Sequence, residues 1–381
     1  MELQTPGWRH YIADFLTGEQ KLDVTRQVLA GNTWAVRMNS YGDANATLRL
    51  AGSGYTIAES QTTFGGALEP WSNRLISVWK DADGESVMHD GIILDEDSDP
   101  FTDDVSLDTS EARTLFARRF LFRIGAYMTF KSKFENITFR RAAYEAFRQV
   151  FLVDGVGRHS LPLVDGWMPA GIATETGTYT AEWFHYHLQT LNEILNDLTE
   201  ADNGPDFDMR TERVGSSFRY RPRFGNPRLA SVQRELDLTT KQHHGIRVRE
   251  RTIGRDQLTG VAGSGEGSGE KLMVSQSALE GGESFSGPFL DTTSQFPDVH
   301  EKSLLDAKTR GLRIAHSAPS KVLELTVRAG GSLSFHDLEP GMQLKVILPA
   351  NMRYPRREYV RTLTGYSGDS SHEIKTTLEA L

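Results

Sequence analysis

Trp8-Arg9-His10-Tyr11-Ile12-Ala13-Asp14-Phe15-Leu16 runs into Thr17-Gly18-Glu19, and Leu338-Glu339-Pro340-Gly341-Met342 turns into Gln343-Leu344-Lys345-Val346-Ile347-Leu348. Each is a short apolar run beside turn residues, the pattern of a strand next to a tight connection. Outward from the first, strands are expected over 8–16, 32–38 and 44–50. In the last of these Ala46, Leu48 and Leu50 alternate with Thr47 and Arg49, the two-residue period of a half-buried strand. A hairpin follows, with Leu75–Trp79 and Val87–Leu94 joined at Asp81-Ala82-Asp83-Gly84, where Asp-Gly suits positive φ. Outward from the second, Leu323, Leu325 and Val327 open another all-β stretch through Leu344–Leu348, Tyr359–Tyr366 and His372–Leu381. The fold class expected is α+β and β-dominated, with two small β-barrel-like domains at the chain ends and helical and mixed α/β domains inserted between them. The domains are 1–105 (β-barrel), 106–200 (helical and mixed), 201–298 (β-rich) and 299–381 (a helix, then the second β-barrel).

Between the ends the period changes. Thr109 or Ser110 caps a helix carrying Ala112, Leu115, Phe116, Phe120 and Ile124, and a second helix covers 139–151. Residues 155–180 read as loop and short strand. The strongest helical stripe is Ala181–Leu198, with Phe184, Leu188, Leu191, Leu195 and Leu198 on one side. It ends at Ala201-Asp202-Asn203-Gly204-Pro205, and strands resume near 207–209, 217–224 and 246–253. Residues 260–270 read as a flexible Gly/Ser loop. A helix over 299–314 is expected to end near Gly311.

At 381 residues there is length for several domains, and 38% hydrophobic residues supply ample core. The net charge of −9 argues against broad nucleic-acid or anionic-membrane binding by the whole molecule. With no cysteine, disulfides and thiolate metal sites are impossible. No apolar run reaches the ~18 residues of a membrane span, so no membrane anchoring is expected. Met1-Glu2-Leu3-Gln4-Thr5-Pro6 lacks the layout of a signal peptide, and the expectation is a whole chain made in the cytoplasm.

Chemical motifs fail one at a time. Asp95, Asp97 and Asp99 are candidate metal ligands because they match the first alternating positions of a calcium loop. Position six should be Gly and is Pro100, and position twelve should be Glu and is Ser106. A solvated acidic linker or docking surface is the alternative for 95–104. His185 and His187 are spaced i,i+2, not the i,i+4 of a helical metal pair, and His187 reads as a core histidine. His300-Glu301 and His372-Glu373 begin like zinc-protease motifs, but Leu304 and Thr376 stand where the second His belongs. No Gly-x-Ser-x-Gly elbow occurs, and the Gly/Ser loop has Glu270 before Lys271 where a phosphate loop needs Gly. No catalytic residue, cofactor or enzyme activity is expected. Residues 210–255 hold twelve Lys/Arg against four acids, with Phe218, Tyr220 and Phe224 interleaved. Arg219, Arg221 and Arg223 are therefore candidates for a protein interface, with a nucleic-acid platform or a plain solvated strand face as alternatives.

Several stretches together resemble the tail-tip, or baseplate, hub proteins of long-tailed phages, called minor tail proteins in actinobacterial phages. They are Trp8 with Tyr11 through Glu19, Trp34…Asn39…Gly42…Ala46-Thr47-Leu48, Gly204-Pro205-Asp206-Phe207-Asp208, Leu338–Val346 and Arg361–Asp369. The order covers most of the chain, though residues 150–180 and 255–300 match nothing in it. The resemblance implies a structural virion protein of a siphovirus tail tip, assembled in the host cytoplasm. It implies a homotrimer whose two β-barrels per chain imitate six-fold symmetry against the tail tube or distal tail protein. Further partners implied are the tape-measure protein end, the central fibre or tip proteins, and genomic DNA passing transiently during ejection. About −27 for three copies of a −9 chain would suit a channel through which DNA slides. A receptor- or glycan-binding tail protein, motivated by Trp71 and Trp167, and a cell-wall-degrading tail enzyme are the alternatives.

Overall fold

The computed structural model describes residues 6–29, 31–51, 54–99, 101–122, 129–152, 161–201, 203–229, 233–240, 243–278, 287–297, 299 and 302–379. In chain order, β1 (Gly7–Asp14), β2 (Gln20–Asp23), β3 (Thr33–Arg37) and β4 (Asp43–Arg49) precede α1 (Ile57–Phe64). β5 (Asn73–Lys80), β6 (Glu85–Asp99) and β7 (Asp104–Glu111) follow, then a single turn α2 (Arg113–Phe116). Next are β8 (Lys131–Ile137), α3 (Phe139–Phe151), β9 (Tyr179–Phe184), α4 (Leu191–Thr199), β10 (Phe207–Val214) and β11 (Ser217–Phe224). β12 (Gln233–Asp237) and β13 (Ile246–Ile253) lead to β14 (Gly260–Ser264), β15 (Val274–Ala278), β16 (Asp291–Gln295) and α5 (Lys302–Ala315). The last strands are β17 (Ser320–Arg328), β18 (Gln343–Leu348), β19 (Arg357–Asp369) and β20 (Glu373–Glu379). Strands make up 45% and helices 17%, which settles the β-dominated class.

The chain divides into two compact units, Met1–Arg247 with Leu325–Glu379, and Val248–Glu324. The main sheet has thirteen strands in the order β13-β17-β20-β19-β3-β4-β7-β6-β5-β1-β2, with β12 on β18 and β18 on β19. Both chain ends therefore enter one sheet. Among the described residues no ladder closes it into a barrel. The seam is β19, whose first half pairs with β18 (Leu348↔Arg357) and whose second half pairs with β3 (Gly368↔Trp34). Gly368 is required there, because a Cβ would meet the Trp34 ring at 2.4 Å. Aromatic packing reinforces the seam: Trp8 lies edge-on to Trp34 and Trp79, and Phe335 packs on Trp79 at 5.0 Å. The Trp8 indole Nε1 donates to the carbonyl of Ser371 at 2.6 Å.

A second core cluster gathers α3, α4 and the β10–β11 hairpin around Phe116, Phe147, Phe151, Phe207 and Phe224. α3 spans the range its periodicity predicts, and Thr138 caps it by accepting the Arg141 N–H. The unit Val248–Glu324 is a three-stranded sheet, β15-β14-β16, with α5 packed on β14 and β15. Gly263 lets the helix close, since a Cβ there would sit 2.2 Å from the Thr309 hydroxyl.

Several expectations are corrected. The stripe over 181–198 is not one helix. Ala181 and Trp183 are buried while Thr180 and Glu182 are exposed, so its first third is β9, paired with β8. α4 begins only at a Thr190/Glu193 capping box, after Leu188 takes a left-handed φ of 51°. His185, not His187, is the core histidine: its ring is 4% exposed and its Nε2 lies 3.1 Å from the Ser132 hydroxyl. Thr109 and Ser110 belong to strand β7 and cap nothing, and only α2 follows. Residues 260–264 are strand, not loop, and α5 continues past Gly311 to Ala315. Residues 95–99 are not a linker but pair with 104–108 at the far end of the β6–β7 ladder. Expectations at residues 1–5, Pro100, Ile124, Asp202, His300, Glu301 and 153–160 lie outside the described residues.

Candidate functional site

Three of the stretches singled out in the sequence, around Asn39, Gly204–Asp208 and Leu338–Met342, meet at the β10–β11 hairpin where it lies against the main sheet. The hairpin is built by alternation: Phe218, Tyr220, Pro222 and Phe224 are buried, while Arg219, Arg221 and Arg223 are half-buried on the other face. Gly204 precedes it because a Cβ would sit 2.1 Å from the Leu198 carbonyl. Asp206 is 1% exposed and accepts from Leu229 N (3.1 Å), Arg228 Nη1 (3.1 Å) and Asn39 Nδ2 (3.2 Å). Asn39, held at φ 57°, also accepts the Phe207 N–H at 2.7 Å. Gly42 packs so closely on β3 that a Cβ would overlap the Ala35 carbonyl at 1.8 Å.

Beneath the hairpin lies a set of buried charges. Arg74, from β5, is fully buried; its Nη1 donates to Asp90 Oδ2 at 2.6 Å and its Nη2 to the Phe218 carbonyl at 2.7 Å. Its guanidinium also stands 4.5 Å from the Tyr220 ring centre. Thr211 donates to the same Asp90 oxygen at 2.6 Å, tying β10 to β6. Burial pushes the Asp90 carboxyl up, and the Arg74 charge opposes that. The Glu111 carboxyl is raised well above its ordinary value, first by burial and further by the Asp208 and Asp90 charges, while the Gly42 N–H it accepts at 2.6 Å pulls the other way. Arg113 is lowered to about 10 by burial and donates to Asn192 and Asn196 of α4. A cavity of about 20 Å³ lined by His89, Asp90, Glu111, Thr211, Tyr220 and Tyr366 has room for about one water.

The three interface candidates are engaged within the chain. Arg223 donates to Asp208 at 2.7 Å and pairs with Glu339, so the Gly204–Asp208 and Leu338–Met342 stretches meet through one guanidinium. Arg221 pairs with Glu212, and Arg219 lies 3.6 Å from Asp165. Asp95, Asp97 and Asp99 are exposed on one face of β6, facing Asp108, Ser106 and Asp104 across the ladder. Among the described residues no three His, Asp or Glu side chains gather closely enough to hold a metal ion. Trp167 is partly buried against the helical core, and Arg118 stands 5.3 Å from the Trp71 ring.

Arg74, Asp90, Glu111 and Arg113 were not picked out by sequence motifs. The available signal was a charge inside an apolar strand: Arg74 precedes Leu75-Ile76, and Asp90 interrupts Met88…Ile92-Ile93. A second polar clamp joins distant turns: the His336 ring contacts Ser86 Oγ at 2.7 Å through Nδ1 and Asp81 Oδ1 at 2.8 Å through Nε2. Chemically, the whole arrangement is a staple in which paired charges fix the register of the hairpin on the sheet.

No family model matches the chain, and no curated protein does either. Solved structures do match. The chain is similar to the 43 kDa tail protein of prophage MuSo2 from Shewanella oneidensis, at TM-score 0.54 and 10% identity, over 98% of both chains. It is also similar to a chain of the PdpA-VgrG complex in its lidless form, at TM-score 0.53 and 10% identity, over 99% of this chain and 65% of that one. The lidded Francisella PdpA-VgrG complex gives TM-score 0.50 and 9% identity, over 99% of this chain and 53% of its match. At such identities the likeness is one of fold. Among the described residues no helix is long and apolar enough to cross a membrane.

Proposed function

We propose that this chain is a structural protein of a phage-type tail, the trimeric hub at the tail tip. The observation that carries the reading is a fold likeness to a prophage tail protein that runs the full length of both chains. The seam at β19 supports it, because a chain that brings its two end regions side by side is suited to offer two similar surfaces to a six-fold partner. Residues 1–95 and 320–381 are then the two hub domains, facing the tail tube or distal tail protein. The opposite side holds the central fibre and the end of the tape-measure protein, and the genome passes through the middle. Location in the virion, assembly in the host cytoplasm and a siphovirus of an actinobacterial host belong to the same reading. The chain works by shape and contact, without catalysis.

The test is to purify tails and ask where the chain lies. Labelling at the tip, lost from tails made without the chain, is the expected result; labelling along the tube or none at all overturns the reading. Of the two tryptophans behind the receptor-binding alternative, Trp167 is partly buried against the helical core and Trp71 is exposed.

A further inference from the structure

Two hairpin tips of opposite charge project from opposite ends of the main ladder. The acidic tip joins β6 to β7 and exposes Asp95, Glu96, Asp97, Asp99, Asp103 and Asp108, with Phe101 95% exposed. The basic tip joins β18 to β19 and exposes Arg353 and Arg356, with Met352 fully exposed beside them. It is preorganised: Asn351 Oδ1 accepts the N–H groups of Arg353 and Tyr354 at 2.9 Å, and the Arg353 and Arg357 guanidinium groups stand 4.9 and 4.3 Å from the Tyr354 ring centre. Near it Lys345 pairs with Glu235 and Glu358, and Arg356 itself lies 3.6 Å from Glu358, so Arg353 and Arg357 leave the tip net positive.

The register fixes the separation of the tips. β19 leaves the basic tip at Arg357 and reaches Asp369, which faces Thr33 of β3. Thr33 faces Asn45, and β4 continues to Arg49, which faces Asp104 at the acidic tip. Twelve residue steps along β19 and four along β4 place the tips roughly 50 Å apart along the strands, at ~3.3 Å per step. They cannot pair within one chain. Asp95 and Asp108 stand directly opposite each other, and Asp99 faces Asp104. Like charges so placed destabilise a hairpin, whereas Arg49 relieves only Asp104.

We propose that the acidic β6–β7 tip of one copy docks on the basic β18–β19 tip of the next, with Phe101 and Met352 as apolar contacts between the charges. The inference rests on the trimeric reading and adds which surfaces meet. Neither tip carries it alone; opposite charge at two separate places on one chain does, because a head-to-tail contact joins two different, complementary surfaces. A second copy is the occupant that the chain's own charge pattern supplies.

The absence of cysteine makes the test clean. Phe101→Cys and Met352→Cys chains are mixed and treated with a short bismaleimide, beside each chain alone. Cross-linked dimers from the mixture and not from either chain alone are expected, and the doubly substituted chain should give a ladder ending at three. Arg353→Glu/Arg356→Glu should lower the yield about ten-fold, and high salt should do the same. Asp97→Lys/Asp99→Lys on the other chain should restore it. Yield unchanged by charge reversal overturns the proposal, as does linkage of either chain to itself. Trimers by native mass without tip cross-links overturn the docking and leave the hub reading standing. Tip cross-links in a ladder ending at two or running past three support the docking and contradict the trimer. All positions substituted are exposed, and matching melting curves confirm that the variants fold.

Discussion

Arg74 and Asp90 show what the buried charges do. Each is desolvated, so their value lies in being paired and hydrogen-bonded, not in charge as such. Arg74→Met leaves the buried Asp90 without its charge partner and is expected to cost about 3–5 kcal/mol in denaturant unfolding. Adding Asp90→Asn should recover part of that loss, since no orphaned charge remains; a purely additive double variant would mean that the two do not act as a pair. Titration gives a second test. Burial lowers His10 to about 4 and His89 to about 3, and a nearby Asp23 only partly offsets this at His10. The unfolded chain takes up these protons first, so stability is full above about 6.5 and falls as pH drops from there toward 4, by roughly 3 kcal/mol at most for His10. Glu111 has the opposite sign: its folded value is raised, so its contribution is full below its unfolded value and is lost as pH rises through the raised one. Glu111→Gln is expected to keep the Gly42 contact, raise the melting temperature on the alkaline side and leave the acid side unchanged. Equal alkaline losses in both proteins would count against a neutral buried Glu111.

Elements with a clean period were legible in the sequence, and elements whose two periods coincide were not. β11 and β13 fall on 217–224 and 246–253 as read, because one side chain in two is apolar or charged. Over 181–198 the apolar residues satisfy both a strand and a helix. Tertiary pairing with β8 decided the first third, and the Thr190 cap decided the rest. Thr190→Ala should cost about 1 kcal/mol, measured by thermal melting, if that cap sets the helix start. The acidic stretch misread as a linker shows that composition alone cannot see a ladder: alternating aspartates are as natural on one strand face as in a calcium loop. Gly204 was legible as part of a motif, but its reason needed the fold. Gly204→Ala forces backbone apart and should lose about 1–3 kcal/mol. The charged node was nearly invisible, because its members come from β5, β6, β7, β10 and β11 and meet only through sheet order.

At the scale of the molecule, both ends share a sheet, a middle hairpin is stapled across it, and the hairpin tips differ in charge. The chain carries a net charge of −9, and Arg221 and Arg223 of the middle hairpin are held in internal pairs. The fold is shared over the full length with a prophage tail protein, and the proposed hub role is tested directly in the tail. The most direct measurement is an image reconstruction of the tail tip at a resolution that traces strands. Three copies in one ring are expected, with the 1–95 and 320–381 regions alternating and superposable. Six copies, one copy, or a ring in which these regions do not alternate would contradict the account.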